Sequence, residues 1–162
     1  MGATFSLINE IIDAINSKKV VGGIFCDLKK AFDSVDHDIL LLKLEFCGIR
    51  NTFNALIKSY LNDRHQRVSI TNKNSCHSSF CKWRKVRCGV PQGSILGTLL
   101  FLLYINDLAR VFGNNHKPVL FANDSSLIFA HLNYTDFSKD ITSAFNKLNK
   151  WFAANLLTIL CL

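Results

Sequence analysis

Apolar positions near the start of the chain recur at helical spacing: Phe5, Ile8, Ile11, Ile12 and Ile15 share one face, and Lys18 and Lys19 follow where positive charge suits a helix C-terminus. A first helix is expected there. Residues 20–26 form a short β-prone run containing Gly22 and Gly23 and deliver Asp27 at its end, as a buried central strand would. Asp36 and Asp38 then precede Ile39, Leu40, Leu41, Leu42, Leu44 and Phe46, with Gly48 as a stop, which predicts a second helix. Phe53, Leu56, Ile57, Tyr60 and Leu61 make an i, i+3, i+4, i+7, i+8 stripe, so a third helix should lay one face on the core.

Residues 64–71 and 80–87 read as two strands joined by the polar stretch 72–75, and their basic residues make this ribbon the most positive part of the chain. After a turn at 89–93, Ser94 can cap a strongly apolar core helix reaching Asp107 or Val111. Residues 117–122 and 125–130 are β-prone and separated by Asn123 and Asp124, hairpin spacing that places Asp124 at the apex. Ile141, Phe145, Leu148, Trp151 and Phe152 stripe a helix from about Thr135 to Asn155, ahead of an apolar tail at 156–162. Helices and strands interleave without strict alternation, and no repeat or linker interrupts them, so the expected fold is α+β: a mixed sheet with helices packed on it.

Composition narrows the class. A chain of 162 residues that is 49% hydrophobic fits one domain with one core. The net charge of +7 favours polyanions, with nucleic acid and acidic membrane both open. The strongly apolar stretch 95–105 is too short to cross a bilayer, and residues 1–19 do not read as a secretory signal, so no membrane partner and an intracellular location are expected. Six scattered cysteines then read as reduced thiols. Cys76, Cys81 and Cys88 with His65 and His77 contain zinc-type ligands, although their spacing matches no tight zinc signature.

The candidate chemistry lies in two acidic positions at strand ends, Asp27 and Asp124, each following an apolar strand. A single Asp after a strand is most often a turn residue. Two that converge from neighbouring strands can bind Mg²⁺ through hard oxygen ligands, and paired Mg²⁺ ions support phosphoryl transfer.

Three segments carry a family resemblance. Phe25-Cys26-Asp27-Leu28-Lys29-Lys30-Ala31-Phe32-Asp33-Ser34-Val35-Asp36-His37 resembles the first catalytic motif of the reverse transcriptases of non-LTR (LINE-type) retrotransposons. Gly89-Val90-Pro91-Gln92-Gly93-Ser94-Ile95-Leu96-Gly97, continued by Leu103-Tyr104-Ile105-Asn106-Asp107-Leu108, resembles the second, and Leu120-Phe121-Ala122-Asn123-Asp124 the third. They occur in family order across about Phe5 to Leu157. The resemblance implies one partial reverse transcriptase domain over 1–162, a palm whose motifs lie at about 25–37, 89–108 and 120–124, with fingers and thumb largely missing.

By that resemblance Asp27 and Asp124 are catalytic and hold two Mg²⁺ ions, with RNA template, DNA primer and dNTP as partners. Phe32 would lie under the incoming sugar and exclude a 2′-hydroxyl, or else be a core Phe. Gln92 would reach the nucleotide or template, while Gly89 and Gly93 let backbone approach nucleic acid closely. Asp33, Asp36 and His37 are better explained by a helix start. Lys82, Arg84, Lys85 and Arg87 around Trp83 suit phosphate contact with stacking, extended by Arg64 and Arg67; a solvated basic ribbon is the plainer alternative.

Two positions depart from the family. Asn123 stands where the first Asp of the third motif belongs, and Thr98 where Pro usually follows Gly97. An amide lacks the charge of a carboxylate and is a poorer Mg²⁺ ligand, so little or no polymerase activity is expected of this copy. Its alternative function is that of a catalytically dead remnant that at most binds nucleic acid. A third reading is an unrelated α+β domain whose carboxylates are structural.

Overall fold

The computed structural model describes residues 3–71, 78–112, 119–121 and 124–160. In chain order they form helix α1 (Ala3–Asn16), strand β1 (Val20–Leu28), helices α2 (His37–Phe46) and α3 (Asn51–Leu61), and strands β2 (His65–Gln66), β3 (Ser69–Thr71), β4 (Ser78–Phe80) and β5 (Arg84–Lys85). Helix α4 (Ile95–Ile105) follows with a 3-10 continuation (Asn106–Phe112), then strands β6 (Val119–Phe121) and β7 (Asp124–His131), helix α5 (Tyr134–Ala154) and strand β8 (Ile159–Leu160). The fold is α+β, as the pattern of elements implied.

Four strands build one antiparallel sheet in the order β6-β7-β1-β8. Its long ladder runs from Val20 opposite His131 to Asp27 opposite Asp124. The strand expected to end at Cys26 continues to Leu28, because β8 pairs with Asp27 and Leu28 from the other side. That pairing turns the apolar tail into a sheet edge.

Strand alternation assigns the two faces. Cys26 and Leu28 on β1 and Leu127 and Phe129 on β7 are buried, whereas Phe25 is exposed on the opposite face, which Asp27 shares. Helix α5 lies on the buried side: a Cβ at Gly22 would come within 2.6 Å of the Phe137 ring. Leu40 and Leu44 of α2, Leu100, Phe101 and Tyr104 of α4, and Leu148 and Phe152 of α5 complete the core. Each such side chain contributes roughly 1.5–3 kcal/mol by leaving water.

The helix starts follow local chemistry. Asp36 caps α2, its carboxylate accepting from the backbone N–H of Asp38 and Ile39 at 3.0 and 2.9 Å. Ser94 caps α4 by accepting from Gly97 N–H at 2.9 Å. Thr98, in place of a proline, uses its own N–H to donate to the Ser94 carbonyl at 3.1 Å.

Two helices leave apolar residues in solvent, and for α3 this changes the expected face. Phe5, Ile8, Ile12 and Ile15 of α1 are exposed, although α1 packs against β1, β6 and β7. On α3, Phe53 and Leu56 are exposed while Asn54 and Leu61 are buried. The Asn54 amide donates to the Leu41 carbonyl and to Glu45, so this polar tie to α2 sets the rotation of α3.

The run from Ile95 to Phe112 is 18 residues long and, by length and composition alone, sufficient to cross a membrane, longer than the sequence reading allowed. One side of it packs into the core, with Leu100, Phe101, Tyr104, Ile105, Leu108 and Phe112 buried, while Ile95, Leu96, Leu99 and Leu102 are exposed.

Candidate functional site

Asp27 and Asp124 face each other directly across the β1–β7 ladder. Opposed residues of an antiparallel pair lie with Cα atoms about 4.5–5.5 Å apart and on the same face of the sheet. This register brings the two sequence-predicted acidic positions to the same end of the β1–β7 ladder.

The position of Asp124 differs from the expected apex. It is the first residue of β7, opposite Phe121 as well as Asp27. Phe121 and Asp124 are the terminal pair of the β6–β7 ladder. Asn123, the departure from the family motif, lies outside the described residues.

Beyond β1 the chain turns through residues 29–36, and the 89–93 turn is fastened onto that loop. Gly89 N–H donates to the Val35 carbonyl at 2.7 Å and Val90 N–H to the Phe32 carbonyl at 2.8 Å. His37 approaches the Gly89 carbonyl at 2.9 Å; a carbonyl can only accept, so His37 donates from Nε2. Asp36 and Cys88 form an isolated bridge beside them.

Gly89 has φ +88°, and a Cβ there would sit 2.9 Å from Asp33 Cα. Gly93 also has a positive φ, +81°, with open space around it. A Cβ at Gly97 would run into the Pro91 carbonyl, so α4 can start only this close to the turn with glycine there.

Phe32 and Gln92 come together in a cavity of about 190 Å³, lined also by Leu28, Lys30, Ala31 and Asp33. Leu28, the residue after Asp27, contributes to this cavity from the end of β1, on the sheet face opposite to Asp27. Phe32 is half-buried and stacks on Phe101 with ring centroids 4.8 Å apart, which holds the aromatic plane in place. Lys30 supplies a cation at the rim that the motif comparison had not singled out.

The basic residues lie on a separate antiparallel ribbon in two short ladders, β2 with β5 and β3 with β4. Lys82, Arg84, Lys85 and Arg87 are all exposed. They are not equivalent: Lys85 is engaged by Asp63 at 2.6 Å, which holds the Asp63 carboxyl below its usual range. Arg64 turns its guanidinium to the Gly89 carbonyl at 3.5 Å and over the Tyr60 ring. Arg67 stands over both Phe80 and Trp83, at 4.2 and 4.5 Å from the ring centroids.

For the zinc alternative, Cys76 and His77 lie outside the described residues. Among the described residues no three His, Cys, Asp or Glu gather at one point. The Cys81 thiol instead accepts from Val68 N–H.

Sequence reading missed the pairing of β8 with Asp27 and the tie between His37 and Gly89. It also missed Lys43, which donates at 2.6 Å both to Asp107 and to the Tyr104 carbonyl beneath the Tyr104 and Trp151 rings. A two-residue edge strand carries no periodic signal. Only the charge of Lys43 amid Leu41, Leu42 and Leu44 marked that residue.

The sequence profile of the family described as "Reverse transcriptase (RNA-dependent DNA polymerase)" matches residues 4–159. The chain is 30% identical over 151 residues to the "Probable RNA-directed DNA polymerase from transposon BS" of Drosophila melanogaster, a match covering 90% of this chain and 16% of that protein. It is 36% identical over 104 residues to the "Probable RNA-directed DNA polymerase from transposon X-element" of the same species, covering 64% of this chain and 11% of that one. To the "RNA-directed DNA polymerase from mobile element jockey", also of Drosophila melanogaster, it is 28% identical over 138 residues, covering 85% and 14%. The matched region is thus a small part of much longer relatives.

Proposed function

The chain belongs to the reverse transcriptase (RNA-dependent DNA polymerase) family, and from that premise we propose that it supplies the palm of an RNA-directed DNA polymerase of a non-LTR retrotransposon. The observation that supports this reading most is the register that sets Asp27 opposite Asp124. The family generally uses a divalent metal, and the donor chemistry fits: carboxylate residues from two adjacent strands offer hard oxygens to Mg²⁺. Asp27 and Asp124 are the residues that would hold it. When bound, the metal would supply activation of the primer 3′-hydroxyl and relief of phosphate repulsion.

The remaining roles belong to the chain itself. Phe32, packed against Phe101, lines the cavity at the end of β1 and would exclude a ribose 2′-hydroxyl by bulk. Gln92 shares that cavity and orients nucleotide or template through its amide. Gly93, with no side chain and open space around it, lets backbone approach the bound strand. RNA template, DNA primer and dNTP are the ligands this arrangement suits.

Asn123 leaves the site one negative charge short, so this copy is expected to extend primers poorly. Primer extension on an RNA template with Mg²⁺ tests the assignment. Asn123→Asp should raise extension, and adding Asp27→Asn to that variant should abolish the gain. No gain from Asn123→Asp, with hybrid binding retained, would instead favour the reading that Asn123 motivates, a remnant that only binds nucleic acid.

A further inference from the structure

Seven Lys and Arg residues and no Asp or Glu lie between positions 64 and 88, a surplus equal to the formal charge of the whole chain, +7. Outside this ribbon the charges balance. The excess is therefore concentrated in this one sequence segment, and among the described residues Asp63 at its start pairs with Lys85 alone.

The ribbon is also irregular at an informative place. Gln66 pairs with Arg84, and Ser69 pairs with Phe80. Two residues, Arg67 and Val68, thus oppose three, Cys81, Lys82 and Trp83. An unequal count of this kind is a β-bulge, which re-aims side chains and strengthens local twist. Here Arg67 comes over the Phe80 and Trp83 rings while the rings stay 54% and 60% exposed. Leaving two large aromatic surfaces in water is costly unless something covers them. The guanidinium lies over part of each ring. Planar ring surface left in solvent beside the exposed cations Lys82, Arg84 and Arg87 is complementary to an unpaired base with its phosphate.

We propose that the bulge formed by Arg67, Phe80 and Trp83, flanked by Lys82 and Arg84, is a stacking platform for single-stranded nucleic acid. This deepens the polymerase reading and rests on it for the choice of nucleic acid over other polyanions. A duplex hides its base faces and would meet only the charges, so the platform discriminates unpaired from paired strands. Arg67 is a positioning residue for the rings as well as a phosphate partner.

The test uses the full chain without Mg²⁺ or nucleotide, so that its outcome is independent of Asp27 and Asp124. A labelled single-stranded oligonucleotide, the same sequence as a duplex, an acidic peptide and anionic vesicles are titrated in turn. The single strand should bind tightest and quench emission from Trp83; the other tryptophan, Trp151, is buried at 9% exposure. Trp83→Leu should weaken single-strand binding about tenfold or more, while Trp83→Tyr retains most of it. Arg67→Lys should weaken binding without changing the salt slope. Lys82→Gln and Arg84→Gln should each lower that slope by about 0.7.

Equal affinity for single strand and duplex, with Trp83→Leu as tight as the parent, would overturn the platform and leave a charged ribbon alone. Preference for the peptide or the vesicles would overturn the choice of partner. Either result would leave the metal-site assignment standing, because Asn123→Asp tests that separately.

Discussion

Replacing Gly89 by Ala probes the contact that joins the first two motifs. At φ +88° an alanine carries left-handed strain of about 1–3 kcal/mol. The added Cβ also lies 2.9 Å from Asp33 Cα, 2.9 Å from the Asp33 carbonyl oxygen and 3.0 Å from that of Phe32, all backbone atoms that cannot swing aside. The loop must move, which endangers the bonds from Gly89 N–H to Val35 and from Val90 N–H to Phe32, each contributing roughly 0.5–1.5 kcal/mol. The expected loss is about 2–6 kcal/mol, a large share of the 5–15 kcal/mol typical of a domain.

Gly48→Ala is the matched control, since Gly48 has φ +89° and nothing within 4 Å of a built Cβ. It should lose the conformational part alone. Urea unfolding followed by circular dichroism should place the Gly89→Ala midpoint lower than that of Gly48→Ala by on the order of 1 M, with similar slopes. Equal midpoints would refute the idea that the 89–93 turn is held tightly on the 29–36 loop.

Two further outcomes concern the core beneath that contact. Asp107→Ala should cost more than Lys43→Met in thermal or urea unfolding, by about 1–2 kcal/mol, because it strands the Lys43 ammonium in a position where its side chain is only 15% exposed. Burial pushes the Tyr104 phenol up to about 12 from 10.0, and it donates to the Asn155 carbonyl at 2.7 Å. Its folded pKa is raised, so the stabilisation is full below pH 10 and lost as pH climbs through about 12. Tyr104→Phe should lack that alkaline decline, which amounts to roughly 2–3 kcal/mol in the parent; identical stability profiles would contradict the assignment.

Much of the layout was legible because it rests on local rules. Asp36 and Ser94 announced helix starts and the β1 and β7 runs announced strands, while the resemblance gave Phe32 and Gln92 separate places around the nucleotide and only the structure shows their shared cavity. The substitutions that matter for packing were less visible. The stripe on α3 seemed to point Phe53 and Leu56 inward, but hydrogen bonding by Asn54 to α2 turns the helix so that they face water. Asp124 read as an apex residue because Asn-Asp favours turns, whereas ladder pairing with Asp27 draws it into the strand. Arg67 gave no sign of its ring contacts, since those depend on an unequal residue count across two strands that no single segment encodes.

The place of β1 inside its sheet fixes the order of assembly. Residues 20–28 are made well before their ladder partners, residues 124–131 on one side and 159–160 on the other. During synthesis this strand therefore leaves the ribosome long before either neighbour exists, with both of its hydrogen-bonding edges open. Only when almost the entire segment has emerged can the acidic ladder close, so a nascent chain halted before residue 124 has no site at all.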